Sequence, residues 1–274
     1  MRTLLAVLLA TPFFVSTAIG ETVHFRSATW PPTPLQLKMQ KRGQTIAELA
    51  SAEVTGELYR PPQRDNRVPA VVLLHPCDGR LPQNLEAAEA ARFTALGYAV
   101  LAVDSFGSRG IRTACWGVSI DVMMDAYGAL QYLADQPFID PRRVALAGYS
   151  YGANVTLAAV AFDGPERLFD QRFAAAVAYY PDCNQEAGTV SVPTLILAGE
   201  ADEWTPARLC RGMMSRRPAL GAELRLVVYP GAKHGFNLKL EPRSLYGYRL
   251  EYNAEADNAA WNQVTELLRD VFGR

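Results

Sequence analysis

Short apolar runs alternate with segments of helical length over most of the chain. The runs consist of almost continuous Val, Leu, Ile and Ala, without a polar residue at every second position. Such runs are typical of parallel strands covered on both faces, and parallel strands need a helix-length connection between them. The pattern predicts an α/β fold with a mostly parallel central sheet and helices on both faces. The predicted strands are residues 68–74, 98–103, 143–147, 173–179, 194–197 and 224–228.

Between these strands, apolar residues recur at the spacing of a helix that buries one face. The chain has 274 residues, of which 49% are hydrophobic, and this is enough for one large core. Residues 46–274 are therefore predicted to form a single domain, without an insertion long enough to be a large cap domain. The helical stripes are Ala90, Phe93 and Leu96; Val122, Ala126, Leu130 and Leu133; and Ala260, Val264, Leu267 and Val271.

Residues 1–20 have the three parts of a signal peptide. Arg2 precedes an apolar run, and small residues follow it up to Gly20. A membrane anchor is the alternative interpretation, but a run of about 12 apolar residues is too short to cross the hydrocarbon layer of a bilayer. We expect cleavage near Gly20 and a secreted or periplasmic mature protein.

Residues 21–45 contain several prolines and a basic stretch. Clustered prolines interrupt regular structure, so this segment is predicted to be an extended lead-in rather than a helix or strand. Regular structure is expected to begin near Ala47, with an edge strand of a hairpin that ends at Tyr59.

The formal net charge of −1 leaves no excess of positive charge for binding phosphates or an anionic membrane. We therefore predict neither nucleic acid nor a membrane as a partner. The four cysteines do not have the spacing of a zinc site. No motif for a nucleotide or a flavin is present, so we predict no metal and no cofactor. The sequence gives no indication of the oligomeric state.

The segment Gly148-Tyr149-Ser150-Tyr151-Gly152 has the G-x-S-x-G pattern of a nucleophile elbow. In this motif a strand turns sharply into a helix and presents the serine hydroxyl above the sheet. The pattern alone is weak evidence, because short motifs also occur by chance. Here it directly follows a predicted strand and opens a segment of small residues. Ser150 is therefore the predicted nucleophile.

Serine needs a base to become nucleophilic, and that base is normally a histidine oriented by a carboxylate. Of the three histidines, only His234 follows Ser150 in the chain, on a loop just after a predicted strand. Asp202 follows the preceding strand, and the order Ser150, Asp202, His234 is that of α/β-hydrolases. Asp202 is the predicted acid, with Asp182, Glu200 and Glu203 as the alternatives.

An acyl-transfer site also needs two N–H donors for the oxyanion of the transition state. The backbone N–H of Tyr151, next to the nucleophile, is the first candidate. The second is expected from the loop after residues 68–74, where Pro76 lacks an N–H and Cys77 is the best candidate. His75 is expected to pack under this loop rather than to take part in chemistry.

Five segments carry a resemblance to a known family: residues 73–79, 103–110, the elbow, residues 199–206 and His234-Gly235-Phe236. Through these segments, residues 46–271 resemble the dienelactone hydrolase family of α/β-hydrolases. Dienelactone hydrolase itself has a cysteine where Ser150 stands and a glutamate where Pro76 falls, so its chlorocatechol-pathway lactone is not the expected substrate. Arg109 lies close to the position of an arginine that binds a substrate carboxylate in that enzyme.

The resemblance implies a small-molecule substrate held among the loops that rim the site. Arg109, Tyr149, Trp204 and Phe236 fall on or near these loops and are the candidate substrate-binding residues. An esterase or lactonase acting on small to medium carboxylic esters is the function that these features favour. A peptidase, a thioesterase or an acyltransferase could use the same triad, and a binding protein without activity could retain the fold. These alternatives stay open at the level of the sequence.

The strand order of α/β-hydrolases also predicts how the cysteines pair. Cys77 and Cys115 follow two strands that are neighbours in that fold, and so do Cys183 and Cys210. We therefore predict the bridges Cys77 to Cys115 and Cys183 to Cys210, with four buried thiols as the alternative. Disulfides persist in oxidising compartments, so the bridges agree with an exported protein.

Overall fold

The computed structural model describes residues 20–45, 51–62, 66–117, 120–184 and 188–273. The predicted signal peptide lies outside these residues, except for Gly20. The described helices are α1 (Pro34–Lys41), α2 (Gln83–Ala95), α3 (Val122–Ala134), α4 (Tyr151–Ala159), α5 (Ala207–Arg216) and α6 (Ala254–Phe272). The described strands are β1 (Glu21–Arg26), β2 (Glu53–Tyr59), β3 (Val68–Leu74), β4 (Ala99–Asp104), β5 (Ile139–Tyr149), β6 (Ala175–Tyr179), β7 (Thr194–Gly199), β8 (Leu224–Tyr229), β9 (Arg243–Leu245) and β10 (Tyr248–Leu250).

Strands β1 to β8 form one sheet in the order β1-β2-β4-β3-β5-β6-β7-β8. The pairs β1–β2 and β2–β4 are antiparallel, and every other pair in this sheet is parallel. Strands β9 and β10 form a separate hairpin. The fold is therefore the mostly parallel α/β sheet that the apolar runs predict.

The sheet separates two hydrophobic layers, because successive side chains of a strand point to opposite faces. In β3, Val72 and Leu74 pack with α3, α4 and α5, whereas Val71 and Leu73 pack with α2 and α6. All seven residues of β3 are buried, as expected for a central strand with helices on both sides. The site described below lies at the carboxyl ends of the parallel strands.

The prediction of a lead-in without elements over residues 21–45 is wrong. Val23 and Phe25 of β1 are buried, and β1 is the edge strand of the sheet, so β2 is not the edge. Thr33 caps α1 by accepting from the backbone N–H of Gln36, whose side chain accepts from the N–H of Thr33 in return.

Among the described residues, no helix combines the length and the hydropathy needed to span a membrane.

Candidate active site

Ser150 occupies the sharp turn between β5 and α4, with φ 54° and ψ −113°. A residue with a side chain rarely adopts this conformation, which costs backbone strain. The turn is held from both sides, since the Ser150 N–H donates to the carbonyl of Tyr179 at 2.9 Å and the Ser150 carbonyl accepts from Ala153 at 2.9 Å. This is the geometry of a nucleophile elbow.

The two glycines of the motif are required by close packing of backbone. A Cβ on Gly148 would lie 2.2 Å from the carbonyl oxygen of Gly152. A Cβ on Gly152 would lie 2.5 Å from the carbonyl oxygen of Leu74, at the end of the neighbouring strand β3. Helix α4 therefore approaches the sheet more closely than any side chain would permit.

His234 lies on the loop after β8 and faces Ser150. Its Nε2 is 3.0 Å from Ser150 Oγ, and its Nδ1 is 2.8 Å from Asp202 Oδ2. The relative exposures of Ser150, Asp202 and His234 are 7%, 4% and 3%, so the three groups interact away from bulk water. Of the candidate carboxylates, Asp202 is the one in contact with His234, whereas Glu200 pairs with Arg211 at 3.1 Å.

Asp202 is held by the loop that follows it. Its Oδ1 accepts from the backbone N–H groups of Trp204 at 2.8 Å and Thr205 at 2.9 Å. The Thr205 hydroxyl lies 2.8 Å from Asp202 Oδ2, 3.2 Å from His234 Nδ1 and 3.0 Å from the carbonyl of Tyr180. These contacts fix the carboxylate in front of the imidazole.

Sequence reasoning missed Thr205. The available signal was the spacing, because an aspartate readily accepts from backbone N–H groups two and three residues later and a threonine at the third position adds a hydroxyl.

The loop after β3 forms the opposite wall of the site. Cys77 lines the cleft, and its carbonyl accepts from Ala114 at 2.7 Å and from the Thr113 hydroxyl at 3.1 Å. Tyr151 is the first residue of α4, so its N–H has no acceptor within the helix. The two predicted oxyanion donors therefore belong to segments that flank Ser150.

His75 packs beneath this loop, as expected from the sequence. It is buried, its Nδ1 is 2.8 Å from the carbonyl of Pro76, and its ring meets the ring of Phe106 edge-on at 4.4 Å. Burial lowers the pKa of His75, because the charged imidazolium loses its hydration.

Ser150 and His234 open into a cleft of about 480 Å³, part of which is open to solvent. Trp204 forms one wall, with its ring centre 4.9 Å from that of His234. Most of the other lining side chains are aliphatic or proline, so the cleft favours an apolar group. These residues are Pro76, Leu81, Pro82, Leu238, Leu240, Leu245 and Leu250.

Three of the four predicted substrate-binding residues lie elsewhere, and these predictions are corrected. The Arg109 guanidinium donates two hydrogen bonds of 2.8 Å to the buried Asp125 and so joins its loop to α3. The hydroxyl of Tyr149 donates to Glu89 at 3.1 Å on the α2 side of the sheet. Phe236 is fully buried in the core. Trp204 is the one that lines the cleft.

Two disulfides join Cys77 to Cys115 and Cys183 to Cys210, in the pairing that the strand order predicts. The first ties the loop after β3 to the segment that follows β4. The second lies in the core, where Cys183 and Cys210 are both fully buried.

Comparisons with known proteins agree with this architecture. An uncharacterized protein of Mycobacterium tuberculosis is 26% identical over 233 residues, which cover 77% of this chain and 79% of that protein. An uncharacterized peptidase of Bacillus subtilis is 25% identical, over 69% of this chain and 35% of that protein.

Solved structures with the same fold include a putative dienelactone hydrolase from Klebsiella pneumoniae, with a TM-score of 0.66, 18% identity and coverage of 90% of this chain and 98% of that one. A dienelactone hydrolase-like promiscuous phosphotriesterase from metagenomic libraries has a TM-score of 0.68 and 19% identity, and covers 92% of this chain and 98% of its own. An esterase of Thermogutta terrifontis has a TM-score of 0.62 and 17% identity, over 82% of this chain and 90% of that one.

The model of the dienelactone hydrolase family matches residues 54–272, which include every element from β2 to α6 apart from the first residue of β2. The chain belongs to the dienelactone hydrolase family.

Proposed function

We propose that the chain is a serine hydrolase that cleaves small to medium carboxylic esters or lactones through an acyl-enzyme intermediate. Membership of the family makes it a hydrolase. The observation that carries the finer proposal is the hydrogen-bonded series from Ser150 Oγ through His234 to Asp202, with distances of 3.0 and 2.8 Å. This series begins at the floor of an apolar cleft, where an ester carbonyl can meet the serine.

In the first step Ser150 Oγ attacks the ester carbonyl carbon while His234 Nε2 takes the hydroxyl proton. Asp202 accepts from Nδ1, which keeps Nε2 free as the base and stabilises the imidazolium. When the tetrahedral intermediate collapses, His234 returns the proton to the leaving alcohol and the acyl group stays on Ser150. A water molecule then attacks the acyl carbon, again with His234 as base, and releases the acid and free Ser150.

The developing oxyanion receives hydrogen bonds from the backbone N–H groups of Tyr151 and Cys77 in this proposal. The N–H of Tyr151 also lies at the positive end of the α4 dipole, which favours negative charge. The contacts of Cys77 with Thr113 and Ala114, and its bridge to Cys115, hold the second donor in place. Preorganised donors of this kind contribute about 3 kcal/mol each to transition-state stabilisation.

The aliphatic lining of the cleft supports an uncharged acyl group. The name of the Thermogutta terrifontis protein describes it as an esterase, and that of the Bacillus subtilis protein as a peptidase. A panel of matched ester, thioester and peptide substrates distinguishes these activities. We expect turnover of esters, and a preference for peptides would contradict the proposal.

The role of Ser150 is tested with a fluorophosphonate probe, which labels only an activated serine. We expect labelling of the wild-type protein and none of Ser150→Ala. Ser150→Ala and His234→Ala should each lower kcat about 10⁴-fold or more, and the double variant should lose little beyond that, because the members act as one unit. Asp202→Asn should also be severe, since the wrong imidazole tautomer is then favoured.

Asp182→Asn is the matched control for the acid, because Asp182 also follows a strand, yet its carboxylate accepts from the N–H of Asn184. Near wild-type activity in Asp202→Asn, or a large loss in Asp182→Asn, would show that the acid is assigned wrongly.

A further inference from the structure

Four aromatic side chains form a continuous path from His234 to the protein surface. Trp204 lies on His234, with ring centres 4.9 Å apart. Tyr248 stacks on Trp204 at 5.1 Å, and Tyr246 meets Trp204 at 6.0 Å. Trp116 completes the path, with its ring centre 4.9 Å from that of Tyr246. We call Trp204, Tyr248, Tyr246 and Trp116 the aromatic strip.

The outer part of the aromatic strip is exposed to solvent. The exposed fraction is 76% for Trp116, 39% for Tyr246 and 37% for Tyr248. Single exposed apolar side chains are common on protein surfaces. Exposed apolar side chains that cluster into one patch usually mark a binding surface. The disulfide of Cys115, next to Trp116 in the chain, ties this surface to the Cys77 loop of the cleft.

The conformation of Tyr246 is a second, independent indication of function. Tyr246 and Gly247 are the two loop residues of the β9–β10 hairpin, with φ of 54° and 88°. Two positive φ values in a two-residue hairpin favour Asn followed by Gly. A tyrosine is strained at the first of these positions, and strained residues concentrate at functional sites. This strained turn places the ring of Tyr246 against Trp204, at the mouth of the cleft.

We propose that the aromatic strip binds an uncharged aromatic ring of the ester substrate, outside the cleft that holds the reacting carbonyl. This proposal rests on the proposed hydrolase function and names its substrate class. Aromatic rings recognise one another through offset-stacked and edge-to-face contacts. The strip offers both, because Tyr248 stacks on Trp204 while Trp116 and Tyr246 meet edge-on.

An aromatic ring fits this surface better than a sugar ring. A sugar also needs hydrogen-bonding groups around its edge, but five charged side chains near the strip are engaged with one another. Arg243 lies 3.7 Å from Asp78 across the mouth of the cleft. Glu251 lies 2.6 Å from Lys233 and 3.1 Å from Arg249. Arg80 also lines the cleft, and its guanidinium is paired with Glu86. Most of the other lining side chains are aliphatic or proline.

The test compares esters that differ only in the ring. We use phenylpropyl acetate against propyl acetate, which place the ring on the alcohol side with similar leaving groups, and ethyl phenylbutanoate against ethyl butanoate, which place it on the acid side. The measured quantity is the ratio of kcat/KM between the members of each pair. In one pair at least, the wild-type ratio should favour the ring-bearing ester.

Trp116→Ala and Tyr246→Asn should each lower that ratio about fivefold, which is the size of one aromatic contact. Tyr246→Asn should leave the melting temperature equal or raise it, because Asn adopts the positive φ more easily. If Tyr246 had a purely structural role, Tyr246→Asn would raise the melting temperature and leave the ratio of kcat/KM unchanged. Trp30→Ala is the control, since Trp30 is exposed to the same degree as Tyr246 and Tyr248 but donates to Asp121 and does not contact the strip.

An unchanged ratio in both variants, with Ser150 still labelled by the fluorophosphonate, would overturn the aromatic strip as a substrate site and leave the hydrolase proposal intact. Faster turnover of an acetylated sugar than of phenylpropyl acetate would also overturn it. Absence of labelling in the wild-type protein would instead mean that the proposed function itself fails.

Discussion

At the scale of single residues, the site depends on two glycines that allow backbone to pack directly against backbone. Ser150 can turn outward only because its neighbours Gly148 and Gly152 have no side chain. A Cβ on Gly148 would collide with the backbone of α4, and a Cβ on Gly152 would collide with the backbone at the end of β3. In the first turn of α4, the N–H groups of Ala153 and Asn154 donate to the backbone carbonyl of Ser150. The close packing of α4 against β3 and β5 thus offsets the backbone strain at Ser150. A residue with a side chain in place of Gly148 or Gly152 would disturb this packing.

Gly148→Ala should therefore destabilise the protein and remove activity. Its Cβ would lie 2.2 Å from the carbonyl oxygen of Gly152, and both groups belong to rigid backbone. We expect a loss of about 3 kcal/mol in the free energy of unfolding, from chemical denaturation. Gly110→Ala is the matched control, because Gly110 has φ 63° but no atom within 4 Å of an added Cβ. It should cost about 1 kcal/mol for its backbone conformation alone. Equal losses in the two variants would contradict this explanation.

The hydrogen-bonded residues Ser150, His234 and Asp202 could be located from the sequence because each follows a strand that the apolar pattern makes visible. The direction of a neighbouring side chain could not. Tyr149 is the last residue of β5, and strand alternation sends it into the α2 and α6 layer. Arg109 was misplaced because its partner Asp125 lies on a helix later in the chain, and no local pattern reveals that pair.

At the scale of elements, the sequence was least informative for β1 and for the β9–β10 hairpin. The segment of β1 alternates apolar and polar residues, with Val23 and Phe25 inward, but it adjoins the apolar leader and precedes several prolines. The hairpin β9–β10 has only three residues in each strand, too few for a periodic signal. Both elements matter, since β1 covers the edge of the sheet and the hairpin carries two rings of the aromatic strip.

Helices α2 and α6 are joined by buried charges that the apolar stripes do not reveal. Arg92 of α2 lies 2.7 Å from Asp257 of α6 and 3.4 Å from Glu89, and the hydroxyl of Tyr149 donates to Glu89 at 3.1 Å. Burial raises the pKa of Glu89, although the charge of Arg92 opposes this shift. The folded state therefore holds the Glu89 proton more tightly than the unfolded chain does.

This shift gives stability a pH dependence with a definite sign. Below the ordinary pKa of a glutamate, Glu89 is protonated in both the folded and the unfolded protein. As the pH rises from that value through the raised pKa of the folded state, the free energy of unfolding falls. Glu89→Gln keeps an acceptor for Tyr149 and cannot ionise, while Arg92 retains Asp257. The melting temperature of Glu89→Gln minus that of the wild type should therefore become more positive from pH 4.5 to pH 8, by thermal unfolding monitored by circular dichroism. A difference that stays constant or falls would show that Glu89 is ionised without penalty in the folded protein.

At the scale of the whole molecule, two covalent links brace one end of the sheet. The bridges Cys77–Cys115 and Cys183–Cys210 span 38 and 27 residues. Disulfides persist in oxidising compartments, and this agrees with an extracellular or periplasmic protein. We propose that residues 1–20 direct that export. The first bridge also joins the cleft wall to the segment that carries Trp116, so it connects stability to the proposed substrate site.

The last prediction separates the two bridges by function. The chain-entropy model gives about 4 kcal/mol for the first and about 3.5 kcal/mol for the second, or a fall in melting temperature of about 10 °C each. Cys77→Ala with Cys115→Ala should also lower kcat/KM, because an oxyanion donor and Trp116 lose their brace. Cys183→Ala with Cys210→Ala, whose bridge is buried in the core, is the control and should mainly lower the melting temperature.

The intact mass of the protein, isolated after export from the cells that produce it, gives the redox state of the cysteines directly. Two bridges make the protein lighter than the reduced chain by four hydrogens. Peptide mapping without reductant then gives the pairing. Because thiolates form disulfides readily where the compartment is oxidising, four alkylatable thiols in freshly isolated protein would contradict both the bridges and export. Intact bridges with an equal loss of kcat/KM in the two paired variants would contradict a specific role for Cys77–Cys115 at the site.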